Sequence, residues 1–249
     1  MRRVYIQKKD GEFVNENAFN AYSGFDKLGY EILFYEDEPP SGLLRTDIVV
    51  GYIGSVKKAL RNLEIVPPTE IDYPEELNDF YGRKIWKSNL NKISEDDYPI
   101  FIKPQIGKYF NGTFVTRFSD MIGFKFDSEV GCEIWCSEPV KFVAEYRVFV
   151  RYGYVIDARR YKGTPFKVLD ERIVNEAIKA FKSQPAGYSM DFGITDDGRC
   201  LIIEVNDGYA LGSYGLFSTL YAKLISARWS EMTGTVDELQ TIGHPERWF

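Results

Sequence analysis

Ser189-Met190-Asp191-Phe192-Gly193-Ile194-Thr195-Asp196-Asp197-Gly198-Arg199-Cys200-Leu201-Ile202-Ile203-Glu204-Val205-Asn206 is the stretch whose reading decides the fold. Two apolar, strand-like runs flank an Asp-Gly pair, a strong short-range signal for a β-hairpin. A two-residue turn at Asp197-Gly198 pairs Asp196 with Arg199 and carries Asp191 to the position opposite Glu204. Directly opposed side chains have Cβ atoms about 4.5–5.5 Å apart, and like charges there repel. Asn206, two residues beyond Glu204, shares its sheet face. Two carboxylates and an amide oxygen on one face call for a cation, and hard oxygen donors of this kind suit Mg2+ shared with phosphate. The competing reading is a surface turn with a solvated acidic face, which leaves Asn206-Asp207-Gly208 after an apolar strand unexplained.

The rest of the chain is that of an ordinary globular protein. It has 249 residues, enough for one large or two small domains, with 44% apolar and 27% charged residues. No run of about 18 apolar residues is present, so no membrane helix is expected, and Met1-Arg2-Arg3-Val4-Tyr5-Ile6 lacks the long apolar stretch of a signal peptide. Cys132, Cys136 and Cys200 are odd in number and lack zinc-like spacing, which predicts reduced thiols and a cytoplasmic protein. A net charge of −6 argues against nucleic acid as a partner. Against that acidic balance, Arg147, Arg151, Arg159, Arg160, Lys162 and Lys167 cluster in one segment, as a specific anion site requires.

Short strands at 4–6, 30–35 and 47–51, with helices over 16–28 and from a cap at Ser55 to Leu63, predict a parallel α/β unit over residues 1–66. Val66-Pro67-Pro68-Thr69 and Tyr73-Pro74 read as linkers. Beyond them, Tyr81 to Trp86 suits either a strand or a helix end. Strands are predicted at 100–104, 113–116 and 133–135, with a hairpin of 145–151 and 154–161 turning at Tyr152-Gly153. An amphipathic helix follows from an Asp170 cap to Phe181, and a last helix over 216–232 turns Phe217, Leu220, Tyr221, Leu224 and Ile225 inward.

Three further motifs carry chemistry. Lys103-Pro104 leads a strand into a loop with Lys108, Gly107 and Gly112, where glycines let backbone N–H groups approach phosphate and lysines add charge; the pattern also suits an ordinary hairpin loop. Trp135-Cys136-Ser137-Glu138-Pro139-Val140 reads as an extended connector able to hold a planar base, or as a plain linker. In Glu145-Tyr146-Arg147-Val148-Phe149-Val150-Arg151, one face of a half-buried strand carries arginines, which calls for an anionic partner. Arg159 and Arg160 on the return strand lie on opposite faces, and Arg160 is expected to join Arg147.

The order of these motifs resembles the ATP-grasp superfamily over roughly residues 1–235. The Ser137-Glu138-Pro139-Val140 and Glu145–Val150 runs look most like a divergent clade of it. That clade includes a eukaryotic assembly chaperone for a translation initiation factor and bacterial and phage members predicted to modify peptides or proteins. The resemblance implies α/β and α+β architecture: an N-terminal Rossmann-like pre-ATP-grasp domain (1–75), two ATP-grasp subdomains (76–140 and 141–235) and a tail (236–249). It implies ATP and Mg2+ as cofactors. Lys84, or Lys87 in its place, Lys103 and Lys108 would touch phosphates, and Trp135, Cys136, Ser137, Glu138 and Val140 would hold the nucleoside. Arg147 would face the γ-phosphate, with Lys103 and Arg160 assisting the chemistry, and Asp191, Glu204 and Asn206 would hold the metal.

The function that follows is an ATP- and Mg-dependent carboxylate–amine ligase working through an acyl phosphate, with small-molecule, peptide or protein substrates. An ATP-binding assembly factor that does not ligate is the alternative, and phosphate transfer to a small molecule is a third. Arg159 to Lys162, Tyr109, Phe110, Tyr209 and Tyr214 are candidates for the acceptor pocket. Such a reaction needs positioning and charge neutralisation rather than a nucleophilic side chain, which suits a chain with a single histidine, His244.

Overall fold

The computed structural model describes residues 2–106, 110–124 and 131–240. Its N-terminal part is a small parallel sheet. Strand β1 (Arg3–Lys9) lies between β3 (Glu31–Tyr35) and β4 (Ile48–Val50), parallel to both, and the two-residue β2 (Glu12–Phe13) folds back on the end of β1. Helix α1 (Glu16–Lys27) starts at Asn15, whose side chain accepts the Ala18 N–H at 2.9 Å, and buries Ala18, Ala21 and Phe25. Helix α2 (Ile53–Asn62) starts two residues before Ser55, with Tyr52 at its N-cap and no side-chain cap.

The undecided segment near 81–86 is both a helix end and a strand start. Helix α3 (Asn78–Tyr81) stops at Gly82, which is left-handed at φ 59°, and strand β5 (Ile85–Asn89) follows. A Cβ at Gly82 would sit 2.5 Å from the Leu201 side chain, so glycine serves both the turn and the close approach. β5 joins β6 (Ile100–Pro104), β7 (Thr113–Val115) and β8 (Glu133–Ser137) in an antiparallel sheet of order β5-β8-β6-β7. One face packs into its own core of Ile100, Ile102, Val115, Ile134 and Cys136.

The third sheet has the order β10-β9-β11-β12, all antiparallel. Its strands are β9 (Phe142–Arg151), β10 (Tyr154–Gly163), β11 (Gly187–Thr195) and β12 (Cys200–Asp207). Helix α4 (Glu171–Ala180), capped by Asp170 as expected, covers one face: Val174, Ala177 and Ile178 pack with Val148, Val150, Met190 and Phe192. The last helix, α5 (Ser218–Thr233), crosses to the N-terminal sheet. Tyr221, Leu224, Ile225 and Trp229 share a core with Val4, Phe25 and Val49, while Phe217, expected inside, is 59% exposed.

The β11–β12 hairpin reaches the expected pairing by a different route. Its loop has three residues, not two. The Thr195 N–H donates to the Arg199 carbonyl at 2.9 Å and Gly198 is left-handed at φ 87°, so Asp196 does not pair with Arg199. A bulge then adds Ile203 to β12: Phe192 pairs with Ile202, yet Asp191 pairs with Glu204. The bulge disturbs the ladder, and Arg83 donates to the carbonyls of Ile202 and Ile203 at 2.8 and 3.0 Å. The longer loop and the bulge cancel, and the two carboxylates face each other.

Candidate active site

Register builds the site. Arg159 pairs with Arg147, Arg147 with Asp191, and Asp191 with Glu204, so these four residues form one row across all four strands of the third sheet. Within the row, the Arg147 guanidinium donates from Nε and Nη2 to both Asp191 oxygens at 2.8 and 2.7 Å; the two side chains are 8% and 3% exposed. Asn206 lies beside them, its Nδ2 at 3.2 Å from Glu204 and 3.5 Å from Asp191. Arg159 instead turns to Asp157.

A second row crosses the other sheet. Lys87 pairs with Trp135 and Trp135 with Lys103. Lys87 Nζ lies 4.8 Å from the centroid of the indole ring. The Lys103 ammonium leaves its own sheet and donates to Glu204 at 2.7 Å and to Asp72 at 2.6 Å. This contact joins the two sheets at the expected metal residues.

Electrostatics follow from burial and pairing. Burial pushes Asp191 up to about 6, against the two bonds from Arg147. Burial also raises Glu204, but the Lys103 charge and its hydrogen bond, with Asn206, outweigh it and leave that carboxyl below its ordinary value. For Lys103, burial alone disfavours the ammonium, and Glu204, Tyr73 and Asp72 more than reverse this. Asp72 is raised, chiefly by burial.

The donor set fits a hard divalent cation. The Asn206 amide lies within hydrogen-bonding distance of both carboxylates, and Arg147 and Lys103 neutralise the acids. Asn206 presents its NH2 end to both carboxylates, and a half-turn of the amide presents its oxygen instead. Ser189, directly across from Asn206, is fully buried, and its hydroxyl has no hydrogen-bond partner.

Some expected residues are not brought here. Arg160 pairs with Tyr146, on the opposite face from Arg147, and its guanidinium donates to the Gly163 carbonyl. A bulge at Tyr161 puts that ring, in place of Arg160, on the site side. It stacks on Tyr214 at 5.0 Å, and Tyr214 in turn lies 4.5 Å from the Arg147 guanidinium carbon. Lys84 lies over the Trp86 ring, on the other face of its sheet from Lys87. Trp135, Cys136 and Ser137 are not a connector but the central strand β8, flanked on both sides, with Cys136 facing that sheet's core. The connector is the short run after Ser137, where Glu138 accepts the Lys84 N–H at 2.9 Å. Lys108, Gly107 and Tyr109 lie outside the described residues, as does His244.

Asp72 is a site residue that the sequence pattern does not reveal. It sits in the linker with φ 52°, pairs by its backbone with Val205, and holds both Lys103 and the Trp135 indole N–H. The only local signal is the adjacent Tyr73-Pro74, which reads as a linker.

Lys103, Arg147, Glu204, Asn206 and Tyr214 line a cavity of about 1070 Å³. Its far wall comes from the N-terminal sheet and helices, through Asn15, Gly51 and Tyr52. The run 135–140 does not line it. No group of three His, Cys, Asp or Glu that could hold a metal occurs among the described residues, so the candidate cation site depends on Asn206 as its third donor. No described helix is long and apolar enough to cross a membrane.

Comparison with known proteins gives a family and a fold. Residues 80–224 match the family described as ATP-grasp domain, R2K clade family 2. No curated protein matches the chain. Among solved structures, the D-alanine–D-alanine ligase of Bacillus anthracis aligns with a TM-score of 0.61 at 13% identity, over 93% of this chain and 97% of that one. N5-carboxyaminoimidazole synthetase of Staphylococcus aureus gives 0.59 at 10%, over 94% and 78%. The ATP-grasp ligase PsnB, solved with a minimal precursor, Mg and ADP, gives 0.54 at 13%, over 93% and 97%. At these identities the likeness is one of fold.

Proposed function

Because this chain belongs to the R2K clade family 2 of ATP-grasp domains, we propose that it is an ATP- and Mg-dependent ligase joining a carboxylate to an amine through an acyl phosphate. One observation carries this reading: Glu204, paired with Asp191 and beside Asn206 on one sheet, meets Lys103 from the other at the wall of a large cavity.

In this proposal Lys103 and Lys87 neutralise nucleotide phosphates, and Arg147 faces the γ-phosphate. Mg2+, if bound there, would supply positive charge to neutralise the charge that develops during phosphoryl transfer. Asp191, Glu204 and Asn206 would hold it. Arg147, now paired with Asp191, and Lys103, now paired with Glu204 and Asp72, are the chain's cations placed to meet phosphate oxygens. A substrate carboxylate attacks the γ-phosphorus, giving an acyl phosphate and ADP. An amine then attacks the acyl carbon and phosphate leaves. The chain's contribution is positioning and electrostatic stabilisation in a site sheltered from water.

Of 135–140, Glu138 and Val140 keep the proposed nucleoside role because they follow β8 rather than lie in its ladders, although the run does not line the cavity and the Glu138 N–H donates to the Lys84 carbonyl at 3.1 Å. Peptides, amino acids and other small carboxylates are the substrate classes to try, and structurally similar proteins solved with precursor peptides favour starting with peptides. The test is incubation with ATP, Mg2+ and such a pool, followed by measurement of ADP and of mass gain. Condensed product with stoichiometric ADP is expected. A tight ATP complex with no substrate-stimulated ADP would instead identify a nucleotide-binding assembly factor, and a phosphorylated product without condensation a phosphotransferase.

A further inference from the structure

Lys103 has two carboxylate partners, and only one of them belongs to the expected cation site. Glu204 and Asp72 lie at 2.7 and 2.6 Å from the same ammonium. If Glu204 is given over to a cation, Lys103 loses that partner and is repelled by the new positive charge nearby. A lysine side chain carries several rotatable bonds and is not aimed by its own geometry. Something else has to hold it.

Asp72 is built for that task. Its two carboxylate oxygens are divided between two partners: Oδ1 accepts from Lys103, and Oδ2 accepts the Trp135 indole N–H at 2.9 Å. Its backbone is fixed to the strand that carries Glu204, with the Asp72 N–H donating to the Val205 carbonyl at 3.1 Å and the Val205 N–H returning to the Asp72 carbonyl at 2.9 Å. The Tyr73 ring meets the Trp135 ring edge-on at 5.0 Å, which packs the indole against this segment. One residue therefore ties the strand bearing the cation ligands to the two strands bearing Trp135 and Lys103. The left-handed backbone at φ 52° suits aspartate or asparagine better than most side chains.

We infer that Asp72 is a positioning residue: bonded to the cation-binding strand through its backbone and to Lys103 and Trp135 through its carboxylate, it keeps the Lys103 ammonium aimed at a nucleotide phosphate when Glu204 turns to a cation. The inference rests on the nucleotide reading above and adds to it a residue outside the cation and phosphate sets. It makes the effect of Asp72 dependent on Lys103, which a merely structural linker residue would not be.

The experiment is a double-mutant cycle on the affinity for a non-hydrolysable ATP analogue with Mg2+, measured by calorimetry in the wild type, Asp72→Asn, Lys103→Met and the double variant. Asparagine keeps an oxygen for the indole N–H and tolerates the left-handed backbone, so thermal melting of Asp72→Asn should stay close to that of the wild type. Asp72→Asn is expected to weaken binding about tenfold in the wild-type background, and by no more than about twofold where Lys103 is already methionine. Equal weakening in both backgrounds would mean a structural role and overturn the inference, as would unchanged affinity of Asp72→Asn. Absence of analogue binding by the wild type itself would overturn the nucleotide reading, and this inference with it.

Discussion

The two sheets that meet at the cavity each carry their chemistry on a row running across strands, but the rows are completed differently. In the β10-β9-β11-β12 sheet, Arg147 and Asp191 neutralise each other inside the row and are almost dry, 8% and 3% exposed. In the β5-β8-β6-β7 sheet, the row Lys87–Trp135–Lys103 contains no acid, and Lys103 finds its partners outside the sheet, on Asp72 and Glu204, at 13% and 26% exposure. One pair, Arg147–Asp191, is complete within its own sheet. The other is complete only when the sheets and the linker are docked. A charge pair buried within a sheet depends on each member for stability, whereas a pair formed across a cleft is free to exchange partners when a ligand enters.

The largest expected effect tests the two carboxylates of the first sheet. Asp191→Asn or Glu204→Gln should lower substrate-dependent ADP formation by on the order of 10³-fold, measured with a coupled ADP assay; near-normal ADP release by both variants would remove the cation assignment. Next comes stability. Arg147→Met leaves a buried carboxylate without its partner and should lower the free energy of unfolding by about 3–5 kcal/mol, read from urea melts, with Mg2+ restoring part of it. Lys103→Met, in the wetter half, should cost less, about 1–3 kcal/mol. Equal losses would erase the contrast between the rows.

The lysine row gives a smaller contrast. Lys87→Met should raise the KM for ATP about tenfold, and Lys84→Met should change it by less than about twofold, because Lys84 lies over Trp86 on the other face. The reverse order would return the first phosphate contact to Lys84. The last effect is that of pH. In the proposed site Asp191 would meet a cation as the carboxylate, not the carboxylic acid, and burial raises that group to about 6. Affinity for the Mg–nucleotide complex should therefore be level above that value and fall by about tenfold per unit as pH drops below it. Glu204, held low by Lys103, adds no loss in the same window. Calorimetric titration between about pH 5 and 8 (chosen to bracket Asp191) reads this directly, and a flat profile would show that Asp191 does not meet the cation.

Legibility in the sequence follows contact distance. Asp191 opposite Glu204 is readable because both lie on one hairpin. The expected two-residue loop is wrong in detail, but a longer loop offset by the Ile203 bulge gives the same pair. Arg147 is readable as a buried arginine in need of an anion, yet its partner in this structure is Asp191, 44 positions along the chain. Arg160 is misassigned because strand alternation gives faces only relative to a starting residue, and the cross-strand register that puts Arg159 opposite Arg147 is set by β9–β10 pairing. Lys84 and Lys87 are indistinguishable along the chain. They separate only when β5 pairs with β8 and Trp135 falls between Lys87 and Lys103.

By itself the sequence determined what is local: the alternation that makes each strand, the Asp-Gly hairpin, the helix cap at Asp170, and the two carboxylates opposed on one hairpin face. Only tertiary structure decided which rows face each other, that α5 shares the N-terminal core, and that Asp72 reaches both Lys103 and Trp135. Local preferences act through neighbouring dihedral angles and side-chain spacing, which a sequence displays, whereas pairing between distant strands is settled by burial and register summed over the whole molecule.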